Sequence, residues 1–357
     1  MNSRLARLRE KLNERHVDAA IIAGRPNTLY LSGFTGSTSF LLVGLDRAWL
    51  IVDFRYTIQA REQVFEGIEV VEQQESFFKT LNALLLENKL KHIGFEGNSL
   101  TVSEYEQMTK KLTHGKSFVN LGSMVDQLRQ IKDADEIERI SQAVLLGDKV
   151  FDHIVKFIKP GLKETEISAE MEYIMRKLGA KGPSFETIVA AGHRSAMCHG
   201  TASDNILKQG DALVLDFGVI YRNYCSDMTR TLFIGEPDPE LKKIYGIVRK
   251  AQETVLESLV ERMSGYEADK IARDIITKAG YGDAFGHSLG HGVGLEIHED
   301  PRLSTKSEDI LQNGMVFTVE PGIYVEGLGG VRIEDMVVFV DGKLRNFTTS
   351  TKDMIIL

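Results

Sequence analysis

Only two cysteines, Cys198 and Cys225, occur in 357 residues, so no disulfide framework can staple this chain. Two thiolates also fall short of a thiolate-built structural zinc site. Their scarcity points to a reducing compartment, read here as the cytoplasm. No apolar run approaches the roughly eighteen residues of a membrane-spanning helix. The stretch Met1 to Val17 alternates charged and apolar residues and lacks the continuous apolar region of a signal peptide. Basic charge is not in excess either. With 43 Lys and Arg against 51 Asp and Glu, the net charge of −8 lends no support to nucleic-acid binding.

What remains is an ordinary globular composition, 43% apolar and 26% charged, in a chain too long for one hydrophobic core. Two domains are expected. The first part alternates helix and strand. Residues 3–15 read as an amphipathic helix and 19–23 as a short strand. Residues 40–43 and 49–52 read as strands around Gly44-Leu45-Asp46. A helix over 75–89, a strand over 92–96 and a helix over 102–113 complete an α/β domain ending near 125–127. Asp53 and Arg55 read as a strand-end salt bridge. From 128 onward, helices are expected over about 135–158 and, capped by Thr165, up to Leu178.

The sequence then repeats itself. Gly161 and Gly265 each lead a helical stretch. Gly210 to Gly218 resembles Gly314 to Gly322 at the same offset of 104: glycine, apolar strand, carboxylate, glycine. A duplicated helix-plus-hairpin unit forming two related halves is the expectation. In the first hairpin, strands 213–219 and 224–234 flank Tyr221-Arg222-Asn223, and a turn centred between Tyr221 and Arg222 sets Asp216 opposite Asp227. In the second, Glu320 and Glu334 lie symmetrically about Gly327. Opposed residues on antiparallel strands share a face, so each hairpin presents a carboxylate pair. Carboxylates that close repel unless a cation lies between them, and burial adds cost. His287, His291 and His298 add three imidazoles within twelve residues, separated by Gly290, Gly292 and Gly294. Four carboxylates and a histidine suit a pair of divalent ions such as Mn²⁺, Co²⁺ or Zn²⁺.

These segments resemble the pita-bread-fold metallopeptidases, the family of methionine aminopeptidase, aminopeptidase P and prolidase. The matching motifs are Leu215-Asp216-Phe217-Gly218, Ser226-Asp227-Met228-Thr229-Arg230-Thr231, Gly290-His291-Gly292-Val293-Gly294, His298-Glu299, Val319-Glu320-Pro321-Gly322 and Val331-Arg332-Ile333-Glu334-Asp335. The resemblance implies a creatinase/prolidase-like α/β domain over 1–127 and a pita-bread catalytic domain with pseudo-twofold repeat over 128–357. It implies two metal ions, Mn²⁺ first. Asp216 holds one, His291 and Glu320 hold the other, and Asp227 and Glu334 bridge. Glu320 is implied as proton shuttle, His298 as stabiliser of the tetrahedral intermediate, and His199 as substrate binder and proton-transfer aid. Arg302 and Arg332 are implied substrate-binding residues. The N-terminal segment Asn27-Thr28-Leu29-Tyr30-Leu31-Ser32-Gly33-Phe34 resembles the prolidase and aminopeptidase P branch. That branch implies an Xaa-Pro dipeptidase working through a hydroxide shared by two ions, and a homodimer. The alternatives are an aminopeptidase P acting on longer peptides and, from another class, a binding module without hydrolysis. Cys198, where prolidases often carry Pro, is a departure toward the methionine aminopeptidase form.

Overall fold

The computed structural model describes residues 3–357, and its contacts divide the chain into two units, Met1–Arg129 and Gln130–Leu357. In the first unit, six strands form one mixed sheet: β1 (Ala19–Ile22), β2 (Phe40–Gly44), β3 (Ala48–Val52), β4 (Glu69–Glu72), β5 (His92–Phe95) and β6 (Ser117–Asn120), in the order β4-β3-β2-β1-β5-β6. The expected hairpin is present, with Phe40 facing Ile51 and Val43 facing Ala48. Helices α1 (Ser3–Glu14), α2 (Arg25–Ser32), α3 (Thr57–Gln63), α4 (Phe77–Glu87), α5 (Val102–Lys111) and α6 (Met124–Gln130) alternate with the strands. Leu81, Leu85 and Met108 from α4 and α5 pack with Ile21, Leu42, Ile51 and Ile93 of the sheet. The expected salt bridge is bidentate: Arg55 Nη2 lies 2.7 Å and Nε 2.9 Å from the Asp53 carboxylate. The sequence patterns showed neither α2, α3 and α6 nor the edge strands β4 and β6. The edge strands are only partly buried and carry no alternating apolar face.

The second unit is built twice over. The first half runs α7 (Ala134–Phe157), α8 (Glu164–Lys177), β7 (Gly182–Pro183), β8 (Ile188–Ala191), β9 (Ala212–Phe217), β10 (Val219–Tyr221), β11 (Tyr224–Cys225) and β12 (Met228–Phe233). The second runs α9 (Pro239–Ser258), α10 (Gly265–Lys278), β13 (Gly290–Gly292), β14 (Glu299–Leu303), β15 (Val316–Val319), β16 (Gly322–Val325), β17 (Gly329–Arg332), β18 (Asp335–Val340) and β19 (Lys343–Asn346). Strand order β12-β9-β8 in one sheet matches β18-β15-β13 in the other. Each sheet is backed by its own helix pair. Val150, Phe151, Ile167 and Met171 pack on Val189, Leu213 and Leu215, while Val248, Val255, Ala268 and Ala272 pack on Phe317, Val319 and Val337.

The two halves also share a bridge from a helix cap to the segment before the first long strand, Lys163 to Ile206 and Ser264 to Ile310. Two sequence expectations are corrected here. The helices correspond at an offset of 101, because α8 starts at Glu164 and α10 at Gly265, whereas strands β9 and β15 start 104 apart. The N-cap of α8 is Lys163, not Thr165. Gly161, at φ +91°, lies ahead of that cap and turns the chain into it.

Candidate metal centre

Three of the four acids stand in breaks of the hairpins, and Asp216 stands within β9. In the second, β15 stops at Val319 and β16 begins at Gly322, so Glu320 lies in the gap. Opposite it, Glu334 lies between β17 and β18. The flanking pairs Val319–Asp335 and Gly322–Arg332 keep the register about Gly327, as the sequence symmetry implies. The first hairpin differs from expectation. Arg222 and Asn223 both have positive φ, 47° and 71°, so the turn is centred between them. Tyr221 faces Tyr224, and Asp216 faces Thr229 rather than Asp227. Asp227 lies two residues along, in the gap between β11 and β12. A shift of two preserves the face, so both aspartates still line the same cavity.

That cavity has a volume of about 390 Å³. Asp216, Asp227, His291, Glu320 and Glu334 all line it, with His199, His298, Arg302 and Arg332. Asp227, His291 and Glu334, all buried, offer ligand atoms within 4.8 Å of one another. His291 Nε2 lies 3.2 Å from Glu320 Oε1 and 3.6 Å from Asp227 Oδ2. The ring is oriented by Nδ1, 3.1 Å from the Gly292 carbonyl. Thr318, inward on β15, accepts from His291 N at 3.0 Å and donates to Glu320 Oε1 at 3.1 Å. Thr229, on β12, accepts from Arg332 Nε at 3.0 Å and donates to Glu334 Oε2 at 2.7 Å.

The electrostatics are those of a cluster short of positive charge. Burial, then the charges of Asp216 and Glu320, push the Asp227 carboxyl well above the ordinary range. Burial, then Asp227, Glu320 and Asp216, do the same to Glu334. Burial raises Asp216 as well, against the opposing pull of Arg332. Burial alone would also raise Glu320, but the hydrogen bond and charge of His291, aided by His287 and Arg332, outweigh it and hold it at about 2. Two buried oxygens, Asp227 Oδ1 and Glu334 Oε1, have no hydrogen-bond partner. A buried carboxylate oxygen facing other carboxylates with no donor is an unmet demand for a cation. The donor set, hard oxygens with one imidazole, fits divalent ions.

His298 stands before β14, its ring 4.5 Å from that of His291 and edge-on to it, and burial followed by the charge of His291 lowers its pKa. His199 lies on the loop after β8 and lines the same cavity. Arg302, on β14, faces His291 in the sheet register with its side chain about half exposed. Arg332 lines the cavity and also has partners within the protein. It is buried, and its guanidinium donates to Asp216 Oδ2 and the Tyr324 hydroxyl, each at 2.5 Å, and to Thr229 and the Cys198 carbonyl. The bond to Asp216 lets it orient that carboxylate. Sequence reasoning assigned no role to Thr229, Thr318 or Tyr324. A hydroxyl inside otherwise apolar strands such as Val316-Phe317-Thr318-Val319 is the available signal, since it must find a partner when buried. Phe185, Ile188 and Ile297 give the cavity its apolar wall.

Residues 138–341 match metallopeptidase family M24, and residues 4–131 match the Creatinase/Prolidase N-terminal domain. The Xaa-Pro dipeptidase of Pyrococcus horikoshii is 38% identical over 356 residues, spanning 99% of this chain and 99% of its own. The solved Xaa-Pro dipeptidase from Bacillus anthracis superposes with a TM-score of 0.97 at 41% identity, with 99% of each chain covered. The X-Pro aminopeptidase from Thermotoga maritima does so with a TM-score of 0.92 at 40% identity, again over 99% of each. Two hairpins that converge their acids on one histidine, and these full-length likenesses, agree: the chain belongs to metallopeptidase family M24, with a creatinase/prolidase domain ahead of the catalytic one.

Proposed function

We propose that this protein is a dinuclear-metal-dependent Xaa-Pro dipeptidase. The observation that carries the reading is the buried Asp227, His291 and Glu334 cluster with its two partnerless carboxylate oxygens, in a cavity that also holds a half-exposed arginine. Asp216, Asp227, His291, Glu320 and Glu334 would hold two divalent ions, Mn²⁺ first and Co²⁺ or Zn²⁺ as alternatives. Such ions supply Lewis acidity that polarises the scissile carbonyl and acidifies water. The chain's own groups do the rest. Thr318 steadies Glu320 through Oε1, and the Glu320 carboxylate accepts a proton from the attacking water and returns it to the leaving prolyl nitrogen. His298, with its lowered pKa, is a neutral imidazole that donates one N–H to the carbonyl oxygen as charge develops there. His199 closes the other side of the substrate. Arg302 pairs with the terminal carboxylate of a dipeptide, a geometry that a guanidinium fork suits. The same reading takes the protein to be cytoplasmic, in keeping with its two thiols, and homodimeric.

A second reading, aminopeptidase action on longer peptides, draws on the Thermotoga maritima likeness and on Asp300, whose Oδ1 lies 3.9 Å from Arg302 Nε and competes for it. Rates on an Xaa-Pro dipeptide and an Xaa-Pro-Xaa tripeptide separate the two. Preference for the dipeptide supports the first, and preference for the tripeptide overturns it.

A further inference from the structure

Lys132 and Glu299 form an ion pair that the proposed reaction does not use. Lys132 Nζ donates to Glu299 Oε2 at 3.1 Å, and the two side chains are only 1% and 7% exposed. Lys132 lies in the segment that enters α7, far in sequence from the cavity. Glu299 directly follows His298 and opens β14.

The loop from Val293 to His298 is wrapped around the Glu299 carboxylate. Glu299 Oε1 accepts from Glu296 N at 3.1 Å. Gly294 packs so closely on the same carboxylate that a Cβ there would stand 2.6 Å from Oε2 and 2.7 Å from Oε1. A side chain at 294 would therefore displace the carboxylate. Gly294 N in turn donates to Glu296 O at 3.0 Å, closing the turn. Lys132 is itself fixed by its backbone, since its N–H donates to Gly314 O at 2.8 Å, at the entry to the strand that carries Thr318 and leads to Glu320.

Stability alone does not account for such a pair. A buried ion pair is on average no more stabilising than apolar residues of similar volume, because desolvating two charges offsets their attraction. It does fix geometry, since each charge tolerates few positions once buried. We infer that Lys132 and Glu299 are positioning residues that hold the His298 loop at the height where its imidazole meets the substrate carbonyl. The inference rests on the role proposed above for His298. A misplacement of about 1 Å in such a group costs on the order of a hundredfold in rate.

The test uses the metal-loaded full chain as Lys132→Met, Glu299→Gln and the double variant Lys132→Met/Glu299→Leu. Readouts are kcat and KM on an Xaa-Pro dipeptide, thermal midpoint, and amide exchange at Glu296. Lys132→Met takes from the buried Glu299 carboxylate the cation that lies 3.1 Å from it and loses stability. The double variant removes that charge and regains the midpoint. Positioning requires that the double variant, though stable, still shows kcat down by about 10- to 100-fold with KM little changed, and that Lys132→Met, which keeps the Glu299 acceptor, shows faster exchange at Glu296. Recovery of kcat together with the midpoint in the double variant, with wild-type exchange at Glu296 in Lys132→Met, would assign the pair to stability alone and overturn the inference. Exchange at Glu296 reads the loop directly. If wild type itself fails on Xaa-Pro substrates while the variants loosen Glu296, the proposed activity is wrong and the anchoring stands.

Discussion

Arg332 Nη2 meets Asp216 Oδ2 at 2.5 Å, across 116 positions of sequence, and so joins the second hairpin to the first inside the cavity. The same guanidinium reaches Thr229, whose hydroxyl holds Glu334. One cation thus orients carboxylates from both halves.

Arg332→Gln is expected to lower kcat/KM by about 10- to 100-fold, the worth of one charge-assisted hydrogen bond of about 1.5–3 kcal/mol. Steady-state kinetics with metal analysis alongside check it. Unchanged kcat/KM would mean that Asp216 needs no such partner.

Arg302→Gln is expected to discriminate between substrates. KM for an Xaa-Pro dipeptide rises by about tenfold or more as the carboxylate loses its fork, while a tripeptide is little affected. Equal effects on both would remove Arg302 from carboxylate recognition.

Chelation is expected to abolish hydrolysis, and Mn²⁺ or Co²⁺ to restore it. The pH dependence follows from the raised carboxyls of Asp227 and Glu334. Above the ordinary carboxylate range the unfolded chain has released these protons and the metal-free fold still holds them, so their contribution to stability falls as pH rises. Metal binding must displace the same protons and tightens with pH. The rise in thermal midpoint on adding Mn²⁺ should therefore be larger near about pH 8 than near about pH 5. A constant increment would contradict it.

Asp335 is expected to matter to stability. It is buried, and its carboxylate accepts from Arg230 at 2.8 Å, from Lys352 and Gln252 at 3.0 Å and from Asn346 at 2.7 Å. Burial would raise its pKa, but Arg230 and Lys352 prevail and lower it. Its contribution is thus present above the ordinary aspartate range and lost as pH falls through the lower folded value. Asp335→Ala should cost about 3–5 kcal/mol by stranding Arg230. Denaturant titration measures this, and a loss under about 1 kcal/mol would show that the network relaxes around the gap.

Legibility varied with the range of the interaction involved. The second hairpin could be read from the sequence because its glycine-rich turn, Gly327 to Gly330, marks the centre of symmetry, and Glu320 and Glu334 follow from it. The first could not be read to the residue. Tyr221-Arg222-Asn223 holds no glycine to mark the centre, and moving the turn by one position moves every partner by two. The strongly periodic helices were legible, whereas the helix offset of 101 was hidden behind the strand offset of 104.

By itself the sequence determined the two-part organisation, the duplicated half, and which acids and histidines stand at the ends of apolar strands, since periodicity and turn chemistry are local properties. Only the tertiary structure decided that Arg332 serves Asp216, that Thr229 and Thr318 steady Glu334 and Glu320, and that Lys132 pairs with Glu299. Those pairings depend on which buried donor meets which buried acceptor. Once water is excluded, each such group must be satisfied by whatever the packing of the two halves brings within reach, and no spacing along the chain states that.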